Sequence, residues 1–268
     1  MTQKHFDYII VGAGSAGCVL ANRLTEDAGV SVALLEAGGK DDSIFVQMPT
    51  ALSIPMTMPR FNWGFFSEPE PNINNRLVDV SRGKGIGGSS SINGMIYVRG
   101  NACDLDQWEE LGAKGWAYKN CLPYYKRAET CAYGEDQYRG GGGPIHTNNG
   151  NGMKNPLYRA FIKAGEEAGY GVTDDYNGYR QEGMSKMDMT VKRGVRCSTA
   201  NAYLKPVMQR KNLTVITHAV TKRVLLEGKK AIGVEFQKNG VDQKIMVNKE
   251  VILSAGAIGS PHIMHMSG

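Results

Sequence analysis

The chain offers no cysteine pair. Its five cysteines, Cys18, Cys103, Cys121, Cys131 and Cys197, form no C-x-x-C unit and are odd in number. That argues against a disulfide framework and for free thiols in a reducing compartment. No apolar run approaches the ~18 residues of a membrane span, and the opening residues 1–7 (MTQKHFD) are polar, without a secretory pattern. A cytoplasmic location is expected, with peripheral attachment to the inner membrane left open. Basic residues are scattered, with a loose enrichment over 186–211, and the net charge is +5. A nucleic-acid footprint needs a denser stripe with interleaved aromatics, so no nucleic-acid partner is expected. Histidine is scarce, and no set of His, Cys, Asp and Glu has metal-ligand spacing, so no metal is expected.

Glycine is abundant: 34 of 268 residues, about 13% against a usual ~7%. The glycines are not periodic and not set in a Pro/Ser/Gln background, which excludes collagen and disorder. They point to tight turns and to close approach of backbone to a ligand. An apolar content of 41% and a charged content of 21% are those of an ordinary globular protein, and the length allows one large domain or two modest ones.

Residues 8–11 are a short apolar run bounded by glycine, which predicts a buried parallel strand. Ser15–Leu24 predicts a helix, and residues 31–35 a second buried strand ending in Glu36, completing a βαβ unit. Between the first strand and the helix lies Gly12-Ala13-Gly14-Ser15-Ala16-Gly17, a G-x-G-x-x-G fingerprint. Gly12 permits the tight turn, Gly14 the approach of a pyrophosphate, and Gly17 the packing of helix on strand. The helix N-terminus, at Ser15 and Ala16, offers free N–H groups and a positive dipole end to phosphates. Glu36, followed by Ala37, can accept ribose hydroxyls and would repel a 2′-phosphate. Cys18 reads as a small buried residue and not as a reactive thiol.

A second motif runs from Arg82 through Gly83, Gly87, Gly88, Ser91, Asn93 and Gly94 to Met95 and Ile96. Its glycines and hydroxyls cluster backbone N–H groups, as a nest for an anion or polar ring atoms does. A simple NAD domain has no use for it, whereas a flavin dinucleotide must have pyrophosphate, ribityl chain and ring edge held. The apolar residues in and after it argue against a flexible linker.

Residues 38–80 are rich in Pro and Gly and predict an irregular excursion, and 105–111 and 120–129 predict helices. The glycine run at 139–152 is the sharpest composition break, placing a domain boundary there. Asn155-Pro156 predicts a helix start, with Asn as N-cap and Pro at the first position. Residues 187–192 read as a strand and 198–204 as a short helix. Strands follow at 213–217, 222–226, 231–237, 244–247 and 250–253, with an Asn239-Gly240 hairpin turn, and Ser260-Pro261 caps a last helix. The expected architecture is α/β: a Rossmann-like dinucleotide fold with an antiparallel β excursion and part of a second, substrate-side domain. The expected divisions are 1–146, 147–192 and 193–268.

Together these residues resemble the glucose–methanol–choline (GMC) flavoprotein oxidoreductases. The N-terminal fingerprint, the run 83–106 and the closing run 256–268 (GAIGSPHIMHMSG) carry the likeness. Tyr97-Val98-Arg99-Gly100-Asn101, the run 174–183 and Cys197-Ser198-Thr199-Ala200 are similar to the bacterial choline-oxidising branch. The resemblance implies FAD as cofactor and oxidation of a primary alcohol, choline first, to an aldehyde. It places Asn93, Gly94 and Met95 near the flavin ring, Val220 at the adenine, and Ala255 and Gly256 near the ribityl or phosphate region. Some family members hold FAD through a histidine, and the matching position here is Ile92, which implies non-covalent FAD.

The family's catalytic base is a histidine far toward the C-terminus. None of His5, His146, His218, His262 and His265 matches that motif, so structural or surface roles are expected for them. The base is expected beyond Gly268, in a longer enzyme of which this is the N-terminal half. Trp63 is expected to pack near the cofactor. The electron acceptor is not named by any residue. Two readings stand: an FAD-dependent dehydrogenase of choline or another alcohol, and a flavin-binding module without catalysis.

Overall fold

The structure, a computed structural model, describes residues 4–149 and 152–268. Positions 150–151, inside the expected boundary, and residues 1–3 of the polar lead-in lie outside the described residues. β1 (His5–Val11), α1 (Ser15–Leu24) and β2 (Val32–Leu35) come first, then the one-turn helices α2 (Ile44–Gln47) and α3 (Ile54–Thr57). α4 (Ala102–Glu110), α5 (Tyr118–Ala128), β3 (Glu129–Cys131), β4 (Ile145–Asn148), α6 (Pro156–Glu167), β5 (Met189–Lys192) and β6 (Val195–Arg196) follow. A π-helical turn at Ala200–Leu204 leads to β7 (Leu213–Ile216), β8 (Val220–Glu227), β9 (Lys230–Lys238), β10 (Val241–Leu253) and α7 (Gly256–Ser267). Among the described residues no helix is long and apolar enough to cross a membrane.

Two compact units result. One joins the residues up to Gly94 with Ser198–Gly268, and the other is Met95–Cys197. The first holds a six-stranded sheet in the order β7-β2-β1-β10-β9-β8. Its β7, β2, β1 and β10 run parallel, and Ile9, Ile10, Val32, Ala33 and Leu34 are wholly buried. Continuous apolar runs of this kind suit strands covered on both faces. From β10 the sheet turns antiparallel through β9 and β8, the expected excursion. Asn239 (φ 52) and Gly240 (φ 76) make the hairpin turn, both left-handed as a type I′ turn requires.

Two details differ from the sequence pattern. The separate strands expected at 244–247 and 250–253 are one strand, β10, because β9 and β1 take up its two halves in succession. The same length lets β1 begin at His5, which faces Met246. The last helix starts at Gly256 and not at Ser260-Pro261. The Ser260 Oγ accepts the Ala255 N–H at 3.0 Å and closes the turn early, leaving Pro261 inside the helix.

The second unit carries a four-stranded sheet, β3-β4-β5-β6. Its helix α6 begins as expected, with the Asn155 Oδ1 accepting the Leu157 N–H at 3.0 Å. The glycine run is not a linker within it. A Cβ at Gly140 would lie 1.9 Å from the Lys126 carbonyl oxygen, and one at Gly143 would lie 2.2 Å from the Ala128 backbone. These glycines let the chain press against the end of α5 and β3. The composition break therefore falls inside a compact unit, and the divisions fall at 94/95 and 197/198 instead of at 146/147 and 192/193. Beneath the run, the fully buried Glu129 pairs with Arg99 at 2.7 Å and with Arg139 at 2.7 Å, and Arg139 also reaches Asp175 and Asp188.

Candidate functional site

A cavity of about 600 Å³ opens in the first unit, above the carboxyl ends of β1, β2 and β10. Crevices at the carboxyl ends of parallel strands are where open α/β sheets bind ligands. One wall is the turn from β1 into α1, with Gly12, Gly14, Ser15 and Ala16. Gly12 has φ +98, and a Cβ there would strike the Ser254 carbonyl oxygen at 2.7 Å. A Cβ on Gly17 would lie 1.9 Å from the Gly12 carbonyl oxygen, so α1 packs directly on the turn. Gly14 differs. Its Cβ would meet only the Ser254 oxygen, at 3.8 Å, and the residue faces the cavity. Gly14 caps α1 with no side-chain hydrogen bond, so the first N–H groups of the helix are free of a side-chain cap.

The second glycine motif is sewn onto the first. The Gly87 N–H donates to the Ala13 carbonyl at 2.7 Å, and the Ile86 N–H to the Gly39 carbonyl at 3.0 Å. A Cβ on Gly88 would come within 2.8 Å of the Gly14 Cα. Arg82, Gly83, Gly88 and Ser89 from this motif reach the cavity. Ser91 is buried and donates to the Ile86 carbonyl at 2.9 Å, so it shapes the loop from behind, as do Gly17 and Gly87.

Glu36 joins the two loops. Its Oε2 accepts the Ala13 N–H at 2.9 Å, and its Oε1 accepts the Gly38 N–H at 2.8 Å and the Gly85 N–H at 3.0 Å. The residue is 6% exposed and lines the cavity with Ala37. Burial pushes its carboxyl above the ordinary carboxylate range, against the pull of the Gly38, Ala13 and Gly85 N–H groups. The expected ribose acceptor is thus also a clamp that holds the cavity's walls together.

The remaining wall comes from Ala219, Val220 and Thr221 at the start of β8, and from the passage from β10 into α7 with Leu253, Ser254, Ala255 and Gly256. Trp63 and Phe65 close the cavity's rim as a stacked pair, with centroids 5.8 Å apart, and the Lys84 Nζ lies 5.1 Å from the Trp63 ring. Phe65, Thr221, Ser254 and His262 line the cavity and were not legible in the sequence as site residues. Only Trp63 carried a signal, as an aromatic inside an irregular glycine-rich segment. Asn93 and Gly94 do not line the cavity. Met95 and Ile96 belong to the second unit, where the Met95 carbonyl accepts the Thr190 N–H at 2.8 Å.

Cys18 is wholly buried behind the first loop and donates to the Ala13 carbonyl at 3.2 Å. Burial pushes its thiol up to about 12. At neutral pH that keeps the thiol protonated. An aromatic disulfide reagent is expected to label the exposed Cys103 quickly and Cys18 only on unfolding. Labelling of Cys18 in the native protein at a rate near that of Cys103 would refute its placement.

The cavity fits a flavin dinucleotide on its own geometry. Helix N–H groups and a Gly14 surface that a side chain would fill suit a pyrophosphate, and Glu36 suits a ribose. Trp63, Phe65, Val220 and Leu253 give faces for flat rings. Such a cavity belongs to the dinucleotide-binding domain of a flavoprotein. A model of the GMC oxidoreductase family matches residues 6–268, and the chain belongs to that family.

Curated relatives include the oxygen-dependent choline dehydrogenases of Photobacterium profundum and Vibrio vulnificus. The first is 58% identical over 264 residues, covering 98% of this chain and 46% of the relative. The second is 59% identical over 267 residues, covering 99% and 48%. Among solved structures, pyridoxine 4-oxidase from Mesorbium loti matches with a TM-score of 0.90 at 32% identity, covering 98% of this chain and 52% of that one. The chain spans about half the length of the curated relatives it matches. GMC oxidoreductases are FAD-dependent.

Proposed function

We propose that this chain is the cofactor-holding part of an FAD-dependent dehydrogenase that oxidises choline to betaine aldehyde. The observation that carries the reading is the cavity whose two glycine walls are locked together through Glu36. FAD, when bound there, supplies the acceptor for the hydride leaving the alcohol carbon. The N–H groups at Gly14, Ser15 and Ala16 hold the pyrophosphate, with the Arg82–Gly88 loop against it. Glu36 accepts from the adenosine ribose, Val220 borders the adenine, and Ala255 and Gly256 border the ribityl or phosphate region. Asn93, Gly94, Met95 and Ile96 are assigned to the ring end. Attachment is non-covalent, since Ile92 is an apolar side chain packed with Val46 and Phe61.

The two units are assigned to cofactor (up to Gly94, with Ser198–Gly268) and substrate side (Met95–Cys197). Choline is favoured over other alcohols by relatives at 58–59% identity that bear that substrate in their names. Those names also favour oxygen as acceptor. A cytoplasmic place suits the free thiols. The proton-accepting base is assigned to the half of the relatives beyond the matched region, so these 268 residues alone are expected to bind FAD without turnover.

The test is to reconstitute the complete reading frame with FAD and follow flavin absorbance without oxygen. Choline, an aliphatic alcohol and a sugar are added in turn. Bleaching by choline supports the reading, bleaching only by another alcohol replaces the substrate, and no bleaching by any alcohol overturns it. The flavin is expected to leave on acid precipitation.

A further inference from the structure

Among the described residues of the first unit, one fully buried side-chain oxygen has no hydrogen-bond partner, the Thr221 Oγ1. Thr221 is the second residue of β8 and stands directly opposite Phe236 of β9. Directly opposed residues of an antiparallel pair share a face. Thr221 therefore shares the face of Phe236, which is 1% exposed in the apolar core that also holds Val234 and Ile263. Valine has the same shape and is at least as much at home in a strand, so the fold itself has no need of the oxygen. A buried polar group left unpaired by its own fold calls for a partner from elsewhere.

Thr221 also lines the cavity, with Val220 and Ile263. Its level along the cavity follows from the backbone. The Glu36 N–H donates to the Ile216 carbonyl and the Ala219 N–H to the Glu36 carbonyl, each at 2.9 Å. Thr221 lies two residues past Ala219, about 7 Å along an extended chain. Glu36 is the residue assigned to the adenosine ribose, and the base is joined to that ribose by a single bond. We propose that the Thr221 hydroxyl recognises the base, forming a hydrogen bond with the adenine of the bound dinucleotide. A hydroxyl donates to a ring nitrogen or accepts from an exocyclic amine, and adenine offers both. One staggered step of χ1 turns the oxygen about Cβ, so it meets the base without moving the strand. This rests on the FAD reading of the cavity and adds to it a side chain that selects the nucleotide's base.

The test compares Thr221→Val and Thr221→Ser with the parent, in the complete reading frame and as apoproteins. FAD affinity is read from quenching of flavin fluorescence, ADP affinity from competition, and stability from thermal unfolding. Thr221→Val is expected to bind both FAD and ADP about five- to tenfold more weakly, the loss of one neutral hydrogen bond. It is also expected to unfold at the same or a higher temperature, because a methyl group replaces an unpaired buried hydroxyl. Thr221→Ser keeps the hydroxyl and is expected to hold FAD within about twofold of the parent. Equal affinity of Thr221→Val and the parent overturns the proposal. So does a lower unfolding temperature of Thr221→Val, which would give the hydroxyl a partner within the fold. A loss for FAD without a loss for ADP overturns it, as does an equal loss in Thr221→Ser. A parent that binds neither FAD nor ADP overturns the FAD reading and this inference with it, whereas a parent that binds both leaves the variants to decide the inference alone.

Discussion

Replacing Glu129 by alanine is expected to lower the stability of the Met95–Cys197 unit by about 3–5 kcal/mol, the loss that follows when one partner is removed from a buried ion pair. The Glu129 carboxylate has no exposure, and its partners Arg99 and Arg139 have 2% and 3%. It also accepts from the Thr147 hydroxyl at 2.6 Å. Burial pulls the Arg139 guanidinium down, but Glu129 and Asp188 beside it outweigh that and hold it above its ordinary value. Arg139 would keep Asp175 and Asp188. Arg99 would keep the Tyr138 carbonyl and the faces of Tyr97 and Tyr125 but lose the carboxylate that pairs with it, and its Nε already lacks a hydrogen-bond partner. An uncompensated guanidinium in the interior is what makes the loss large. Urea unfolding read by Trp108 and Trp116, both in this unit, measures it. A change below about 1 kcal/mol, the size of an exposed pair, would show that the network is not the unit's anchor.

That network explains why one part of the molecule was readable in its sequence and another was not. The βαβ unit is local. Gly12, Gly14, Gly17 and Glu36 stand at offsets that a strand, a turn and a helix impose, so the pattern alone brings Gly12, Gly14 and Glu36 to one cavity, with Gly17 packed behind it. Arg99, Glu129, Arg139 and Asp188 lie far apart in sequence and have no periodicity. Each reads as an ordinary surface charge until the fold brings them together. The run 139–152 misled for a related reason. Glycine marks both flexible linkers and places where backbones touch, and only the 1.9 Å approach at Gly140 tells which applies. In β10, Asn248 and Lys249 looked like a break between two strands. Here they are exposed residues of one strand as it passes from β9 to β1. Glu36 was read as a ribose acceptor, while its hold on Gly85, across 49 residues, needed the structure.

Gly14→Ala and Gly17→Ala are expected to fail in opposite ways, and the contrast tests the cavity's assignment. An alanine Cβ at position 17 would lie 1.9 Å from the Gly12 carbonyl oxygen, a backbone atom that moves only if α1 leaves its strand. The apoprotein is expected to lose about 3 kcal/mol or more, at the upper end of overpacking costs, and FAD affinity with it. An alanine at position 14 would meet only the Ser254 oxygen, at 3.8 Å, and Gly14 already has the extended φ of −74 that alanine adopts. Losing glycine at a helix N-cap costs under about 1 kcal/mol, so the apoprotein is expected to stay folded. Its methyl group would stand where the pyrophosphate approaches, and FAD affinity is expected to fall at least about 100-fold, or about 2.7 kcal/mol. Thermal unfolding of the apoproteins and quenching of flavin fluorescence on titration separate the two effects. A Gly14→Ala chain that binds FAD as tightly as its parent would mean that no phosphate lies against this loop, and Glu36 would then be a clamp for the fold and not part of a nucleotide site.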